Sequence, residues 1–209
     1  MARQYGVFTI RADGRSGRAA SQFENSVLGM LHALNSISSG KALLDGFRSV
    51  GKEVLVFPYD GSVGQCNAYA TADWGMYRNK VSFSPMGWTA CSSCSTIGSA
   101  GNSAMEILYH ELAHALRFAA GTIYQKTTAP QEEEIAILLT NIFSSETNRP
   151  LRRDHSGFRK LPNTDPVAFY ANNMPLLRTF HQQHPKVSSA LSRIWTKFNP
   201  IKEYVDREL

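Results

Sequence analysis

The stretch SAMEILYHELAHALRFAAG, residues 103–121, governs how the rest of this sequence is read. Ser103 followed three residues later by Glu106 is the spacing of a capping box, in which each side chain satisfies an orphaned amide at a helix start. The helix it opens is expected to run to about Ala119, with Gly121 as its stop. Leu108, Leu112, Ala115 and Leu116 form an apolar stripe that pins this helix to a core. His110 and His114 are four residues apart, so both imidazoles project from one face, one turn apart, and can share one cation. Glu111 lies beside them, placed to act on a water at that cation rather than on the cation itself. Zinc brings the pKa of such a water to about 7, and the carboxylate accepts its proton and later hands it to the leaving amine. A glutamate between two histidines in an otherwise apolar helix is costly to bury without a purpose, which disfavours a reading of these groups as surface residues.

A catalytic zinc site takes a third protein ligand and leaves one position open. A metzincin pattern would place a glycine and a third histidine close behind the motif, but Gly121 comes too late and no histidine follows until His155. Glu132, Glu133 and Glu134 instead open the next apolar-periodic stretch, a helix expected over about Gln131–Ser144 after Pro130. A short connection over 121–130 makes an antiparallel return plausible, which is the gluzincin arrangement. Glu133 lies one turn before Ile137, on the side that also carries Ala136 and Thr140, and is the chosen ligand. Glu134, aligned with Leu138 and Asn141, is the alternative, and His155 a further one. Acids at a helix start are also favoured by the dipole alone, which suffices for at least one of the three. A peptidase further needs a donor for the oxyanion that develops on the substrate. Arg152, Arg153, His155 and Tyr170 are candidates, with Arg153, His155 and Tyr170 taken as the transition-state or supporting set. Glu146 is a candidate to orient a ligand histidine. His181 and His184, at a helix end before Pro185, read as surface residues, and His32 as a helix-surface or satisfied core residue.

Working outward, YGVFTI at residues 5–10 reads as a strand, and 19–38 as an amphipathic helix through Phe23, Val27, Met30, Leu31 and Leu34. Ser39-Gly40 reads as a break, Lys41–Val50 as a short helix stopped by Gly51, and Glu53–Phe57 as a strand ended by Pro58. Residues 60–103 are the least regular, with one strand at Lys80–Phe83 and a loop over 91–103 that is either a cleft wall or a surface connector. Helices are expected at 165–180 and 187–198, then a polar tail from Asn199. The 209 residues are 43% hydrophobic, enough for one sizeable core and too few for two large domains. With no linker or repeat, the expectation is one domain over 1–209, with the active-site helices at about 103–144. The fold class expected is α+β: a small mixed sheet packed on the metal-binding helix, with a mostly helical C-terminal part.

The formal charge is +5, but the basic residues are scattered and the densest run, Arg149 to Arg153, is short, so no nucleic-acid partner is expected. No window approaches the roughly 20 apolar residues of a membrane span. The start, MARQY, lacks a basic-then-apolar leader, so any export is expected to use no cleavable signal peptide. Cys66, Cys91 and Cys94 are too few for a disulfide framework, and the CxxC of Cys91 and Cys94 lacks the second pair a structural zinc site needs.

The segment ILYHELAHA, residues 107–115, resembles the motif of the zincin effector peptidases injected by enteric pathogens, and the HELxH motif of clostridial neurotoxin light chains. Glu132-Glu133 is similar to the acidic pair that holds the third ligand in those families. The upstream pattern also fits: a helix with Gly40 and Leu43-Leu44, a strand at Val54–Phe57, and a short strand at Val81–Phe83 before the metal helix. The resemblance is specific at the metal helix and loose elsewhere, and the chain departs from these effectors after residue 145. It implies a zincin-like fold and a monomeric bacterial effector or toxin with one catalytic Zn2+. Such a zinc endopeptidase is secreted into a host or rival cell, where it contributes to virulence by cleaving a specific protein. The alternatives are a zincin hydrolase acting on peptidoglycan or on a regulator in its own cell, in the cytoplasm, and a non-catalytic binding module stabilised by metal.

Overall fold

The computed structural model describes residues 2–59, 68–73, 78–85, 103–123, 125–152 and 164–209. Its first element is a tight hairpin rather than the single strand expected over 5–10. β1 (Arg3–Tyr5) pairs antiparallel with β2 (Phe8–Ile10), with Tyr5 opposite Phe8. Gly6 reverses the chain at φ 57°, a conformation open to a residue without a Cβ. β2 runs parallel to β3 (Val54–Pro58), and β3 runs parallel to β5 (Arg78–Phe83). β4 (Tyr69–Asp73) pairs antiparallel with β5 and closes the sheet order β1-β2-β3-β5-β4. The sheet is therefore small and mixed, and most of the remaining described chain is helical, which is the α+β class expected.

Parallel pairing of β2 and β3 requires a crossover, supplied by α1 (Gly17–Asn35) and α2 (Ser38–Val50). Phe23, Val27, Leu31 and Leu34 recur at helical spacing along α1 and are all buried. The break lies at Ser36-Ile37 rather than at Ser39-Gly40, which belong to the first turn of α2. A Cβ on Gly40 would stand 2.1 Å from the carbonyl oxygen of Leu34, so this glycine serves a close approach of α2 to the end of α1.

α3 (Ala104–Ala120) lies against β4, β5, α2 and the return helix α4 (Ala129–Glu146). Glu106 meets Ser144, His110 meets Thr140 and Arg117 meets Glu132, so the two helices are antiparallel. α3 is buried nearly all round. Tyr109 stacks on Phe143 with ring centroids 4.7 Å apart and donates its hydroxyl hydrogen bond to the Ser39 carbonyl at 3.3 Å. That burial pushes its phenol pKa upward.

The C-terminal part holds α5 (Pro166–Gln183), α6 (Pro185–Ser192) and α7 (Pro200–Glu208). α6 ends before the expected residue 198, and the stretch read as a polar tail is α7. The Asn199 side chain caps it by accepting from the Lys202 amide at 3.2 Å, with Pro200 at the first helical position. Buried apolar residues from the sheet and from α1 to α7 form one cluster.

Candidate metal centre

The capping box sets the start of α3: Ser103 Oγ accepts from the Glu106 amide at 3.1 Å, and the Glu106 carboxylate accepts from the Ser103 amide at 3.1 Å. Glu106 is also the buried partner of Ser144 Oγ and of Arg149 Nε, at 2.7 and 2.8 Å, which ties the end of α4 to the start of α3. One turn on, His110, Glu111 and His114 are 3%, 8% and 9% exposed. The two imidazoles stand edge to face, with centroids 4.9 Å apart.

α4 brings Glu133 onto them. Its Oε2 lies 3.3 Å from His110 Nε2 and its Oε1 lies 3.3 Å from His114 Nε2. One donor atom from each of His110, His114 and Glu133 can be chosen so that all lie within 4.8 Å of one another. Two ligands about 2.0–2.1 Å from one tetrahedral ion are about 3.3–3.4 Å apart, the distance at which each histidine meets a Glu133 oxygen. The donor chemistry fits as well. Burial drives His110 down to about 3, only partly opposed by Glu133, so its imidazole is neutral, the form that binds metal. Thr140 donates its hydroxyl hydrogen bond to the Ala136 carbonyl, so its oxygen can only accept from His110 Nδ1, 3.4 Å away. This favours the tautomer that leaves Nε2 as donor atom. Burial pulls His114 down too, but the carboxylates of Glu133, Glu111 and Glu132 outweigh it and raise its pKa. For Glu133 burial acts upward, while the two histidines prevail and hold the carboxyl below its ordinary value.

Burial raises Glu111 to about 7, with Glu133 adding to the rise and His114, the Ala70 amide and Arg152 opposing it. A carboxyl near neutrality can both take and return a proton at ordinary pH. Ala70 belongs to β4, so the edge of the sheet runs beside this group.

The remaining candidates are spread more widely. Glu132 is buried against Arg117 rather than at the helix-start surface, and Glu134 is not a member of the His110–His114–Glu133 group. Arg153, His155 and the three cysteines lie outside the described residues, as does the possible cleft wall at 91–102. Tyr170 is on α5, donating its hydroxyl hydrogen bond to Glu208 at 2.6 Å with Arg207 over its ring. Glu146 accepts from the amides of Ser38 and Ser39 at the start of α2 rather than from a ligand histidine. His184 is buried, not at the surface: it pairs with Thr122 at 2.9 Å, and burial first and Arg117 second lower it to about 4. His181 meets Ser188 at 3.0 Å, and His32 packs edge-on to Tyr5.

Arg152 is anchored by α4. The Asn141 side chain accepts from its amide at 2.8 Å and donates to its carbonyl at 2.7 Å. Its charge lowers the pKa of both His110 and Glu111.

No helix among the described residues is long and apolar enough to cross a membrane. No curated protein and no solved structure matches the chain. A family model, Peptidase_M91, described as "Effector protein", matches residues 11–138, more than half of the chain and inclusive of His110, Glu111, His114 and Glu133. The chain belongs to this Peptidase_M91 family of effector proteins.

Proposed function

We propose that the protein is a zinc-dependent endopeptidase that acts as an effector, delivered into another cell where it cleaves a specific protein. The observation that carries this reading is the meeting of His110 and His114 on α3 with Glu133 on α4, donor atoms within 4.8 Å, beside a buried Glu111. Membership of a peptidase effector family supplies the class of reaction and the expectation of a protein substrate.

In this reading His110, His114 and Glu133 would hold one zinc ion. When bound, zinc supplies Lewis acidity, acidifying a water and polarising the scissile carbonyl. Glu111 takes the proton of the water as its oxygen adds to the carbonyl carbon, and passes it to the amine nitrogen as the C–N bond breaks. Arg152, whose charge reaches His110 and Glu111, would stabilise the negative charge that develops on the carbonyl oxygen. β4, at the edge of the sheet beside Glu111, is suited to align an extended substrate segment by main-chain pairing.

Purified wild-type protein is expected to contain about one zinc per chain by elemental analysis. Glu111→Gln should keep the metal and His110→Ala should lose it. Lysates of target cells treated with each protein are then compared for newly formed protein N-termini. Wild type is expected to generate a small, specific set, reduced about 10²–10⁴-fold in rate for Glu111→Gln. The same set formed at the same rate by Glu111→Gln would overturn the proposal.

A further inference from the structure

We infer that the buried ion pair Arg117–Glu132 is the device that positions Glu133, making Arg117 and Glu132 positioning residues for metal binding; the inference rests on the metal reading of Glu133. Arg117 follows His114 by three residues on α3, and Glu132 precedes Glu133 on α4. Neighbouring residues on a helix diverge by about 100°. Glu132 can therefore turn toward the last turn of α3 while Glu133 turns toward the two histidines.

The pair is bidentate, Arg117 Nε to Oε2 at 2.6 Å and an Arg117 terminal nitrogen to Oε1 at 2.9 Å, with side chains only 1% and 3% exposed. Both partners make further hydrogen bonds. Thr127 donates its hydroxyl to Glu132, and Arg117 donates to the Thr122 carbonyl at 3.2 Å and to Gln183 at 2.8 Å. Gln183 in turn donates to the Gln125 carbonyl at 2.7 Å. The α3–α4 connection, the first turn of α4 and the end of α5 all converge on one guanidinium.

What makes this more than a stabilising contact is how little else is buried at the start of α4 among the described residues. Between Ile123 and Ile135, Glu132 is the only buried residue among those described. Among the described residues no buried apolar side chain seats the first turn of α4, and the buried contact there is made by a carboxylate. A buried ion pair is a poor way to gain stability, since an apolar pair of similar volume often does as well or better. It is a good way to fix direction, because a planar guanidinium and a planar carboxylate meet in few geometries. Ligands need to be held within about 0.5 Å of productive geometry. Glu133 is the next residue along the chain and inherits that precision.

The test is metal affinity, measured on full-length protein by Zn2+ competition with a chromophoric chelator, with the visible absorption of the Co2+-loaded protein as a report on ligand geometry. Glu132→Gln and Arg117→Met are expected to weaken Zn2+ binding about 10–100-fold and to alter the Co2+ bands. Glu106→Gln is the control. It breaks another buried pair at the far end of α3 and is expected to lower Tm while leaving Zn2+ affinity within about threefold of wild type, a margin set by ordinary context dependence. If either single variant fails to fold, the double variant Arg117→Met with Glu132→Leu restores an apolar contact and is expected to fold yet still bind Zn2+ weakly. Wild-type affinity and Co2+ spectrum in folded Glu132→Gln or in the double variant would overturn the inference. So would an equal loss in Glu106→Gln. If Glu133→Gln abolishes binding while Glu132→Gln does not, only this inference fails. If wild type takes up no Zn2+, the metal reading fails and this inference with it.

Discussion

Asn141 holds the main chain of Arg152 at both its amide and its carbonyl, and does so from α4, the helix that also carries Glu133. The backbone just after α4 is fixed in two further places, by the Arg149 amide on the Ser144 carbonyl and by the Arg149 side chain on Glu106. Three anchors in a short stretch set where the Arg152 side chain leaves the chain, and its charge is felt at His110 and Glu111. Arg152→Ala is therefore expected to lower kcat by about 10²–10³-fold, as loss of an oxyanion donor does, with zinc content unchanged. Arg152→Lys should recover only part of it, since an ammonium lacks the fork of donors. Asn141→Leu should act in the same direction through the lost anchor. The readout is the rate at which wild-type cleavage products appear at equal zinc occupancy. Wild-type kcat in Arg152→Ala would remove this residue from the chemistry. At this scale the sequence was uneven. His110, Glu111 and His114 could be read because their relation is local, one turn of one helix. That Glu133 rather than Glu134 meets the two histidines is expected from the faces of the next helix alone. Arg152 depends on a contact with Asn141 eleven residues away, which no helical or strand period encodes, and the neighbouring Arg153 and His155 seemed equally good.

Among the elements, α2 shows how a helix end is completed from elsewhere. Its N-cap is Ile37, which has no side chain to offer an orphaned amide. Glu146, in the last turn of α4, supplies both carboxylate oxygens instead, to the Ser38 and Ser39 amides at 2.9 and 2.8 Å. Burial acts to raise the Glu146 pKa, and these hydrogen bonds outweigh it and lower it below the value of 4.5 for a free side chain. The folded pKa is thus below the unfolded one. The contribution to stability is complete above the unfolded value and drains away as pH falls through the folded value. Glu146→Gln is expected to cost about 1 kcal/mol near neutral pH, the size of a lost cap, and to flatten the acid side of the stability profile. Denaturant midpoints for both proteins from neutral to acid pH would show it, and parallel acid profiles would refute it. The same junction gives Gly40 its role. Glycine is a common helix stop, so a break was expected there. Its actual role is steric, since Gly40→Ala would drive a Cβ into the Leu34 carbonyl and is expected to cost on the order of 1–3 kcal/mol or more. β4 escaped notice for another reason. Its sequence YATAD presents alanines where a half-buried strand usually shows large β-branched side chains, so its alternation carries little hydrophobic contrast.

For the whole molecule, the question is whether the family region is a folding unit by itself. The match ends at Leu138, in the middle of α4, before Thr140, Asn141, Ser144 and Glu146, each of which contacts α2, α3 or the Arg152 segment. The C-terminal helices lie over the rest. α6 packs on α2 so closely that a Cβ on Gly46 would stand 2.6 Å from Val187 Cγ2, and Gln183 of α5 completes the shell around Arg117. Leu177, Phe180, Val187, Leu191, Phe198 and Ile201 are buried in the same cluster as the side chains of α2 and α3. Burying one such side chain is worth about 1.5–3 kcal/mol, against a net stability of about 5–15 kcal/mol for a whole domain. We propose on this basis that 1–209 folds as one unit, and that the metal helices depend on chain beyond the family region. A protein ending at residue 164 would lose those six side chains together, uncover α2 and leave the Arg117 guanidinium short of an acceptor. It is expected to show no cooperative thermal transition by circular dichroism, rapid digestion at a protease dose that full-length protein resists, and loss of zinc retention. Had the C-terminal helices been a separate accessory, the shortened protein would melt cooperatively within a few degrees of full length and keep its metal. That outcome would place the boundary of the peptidase unit near residue 164 and leave α5 to α7 for another task.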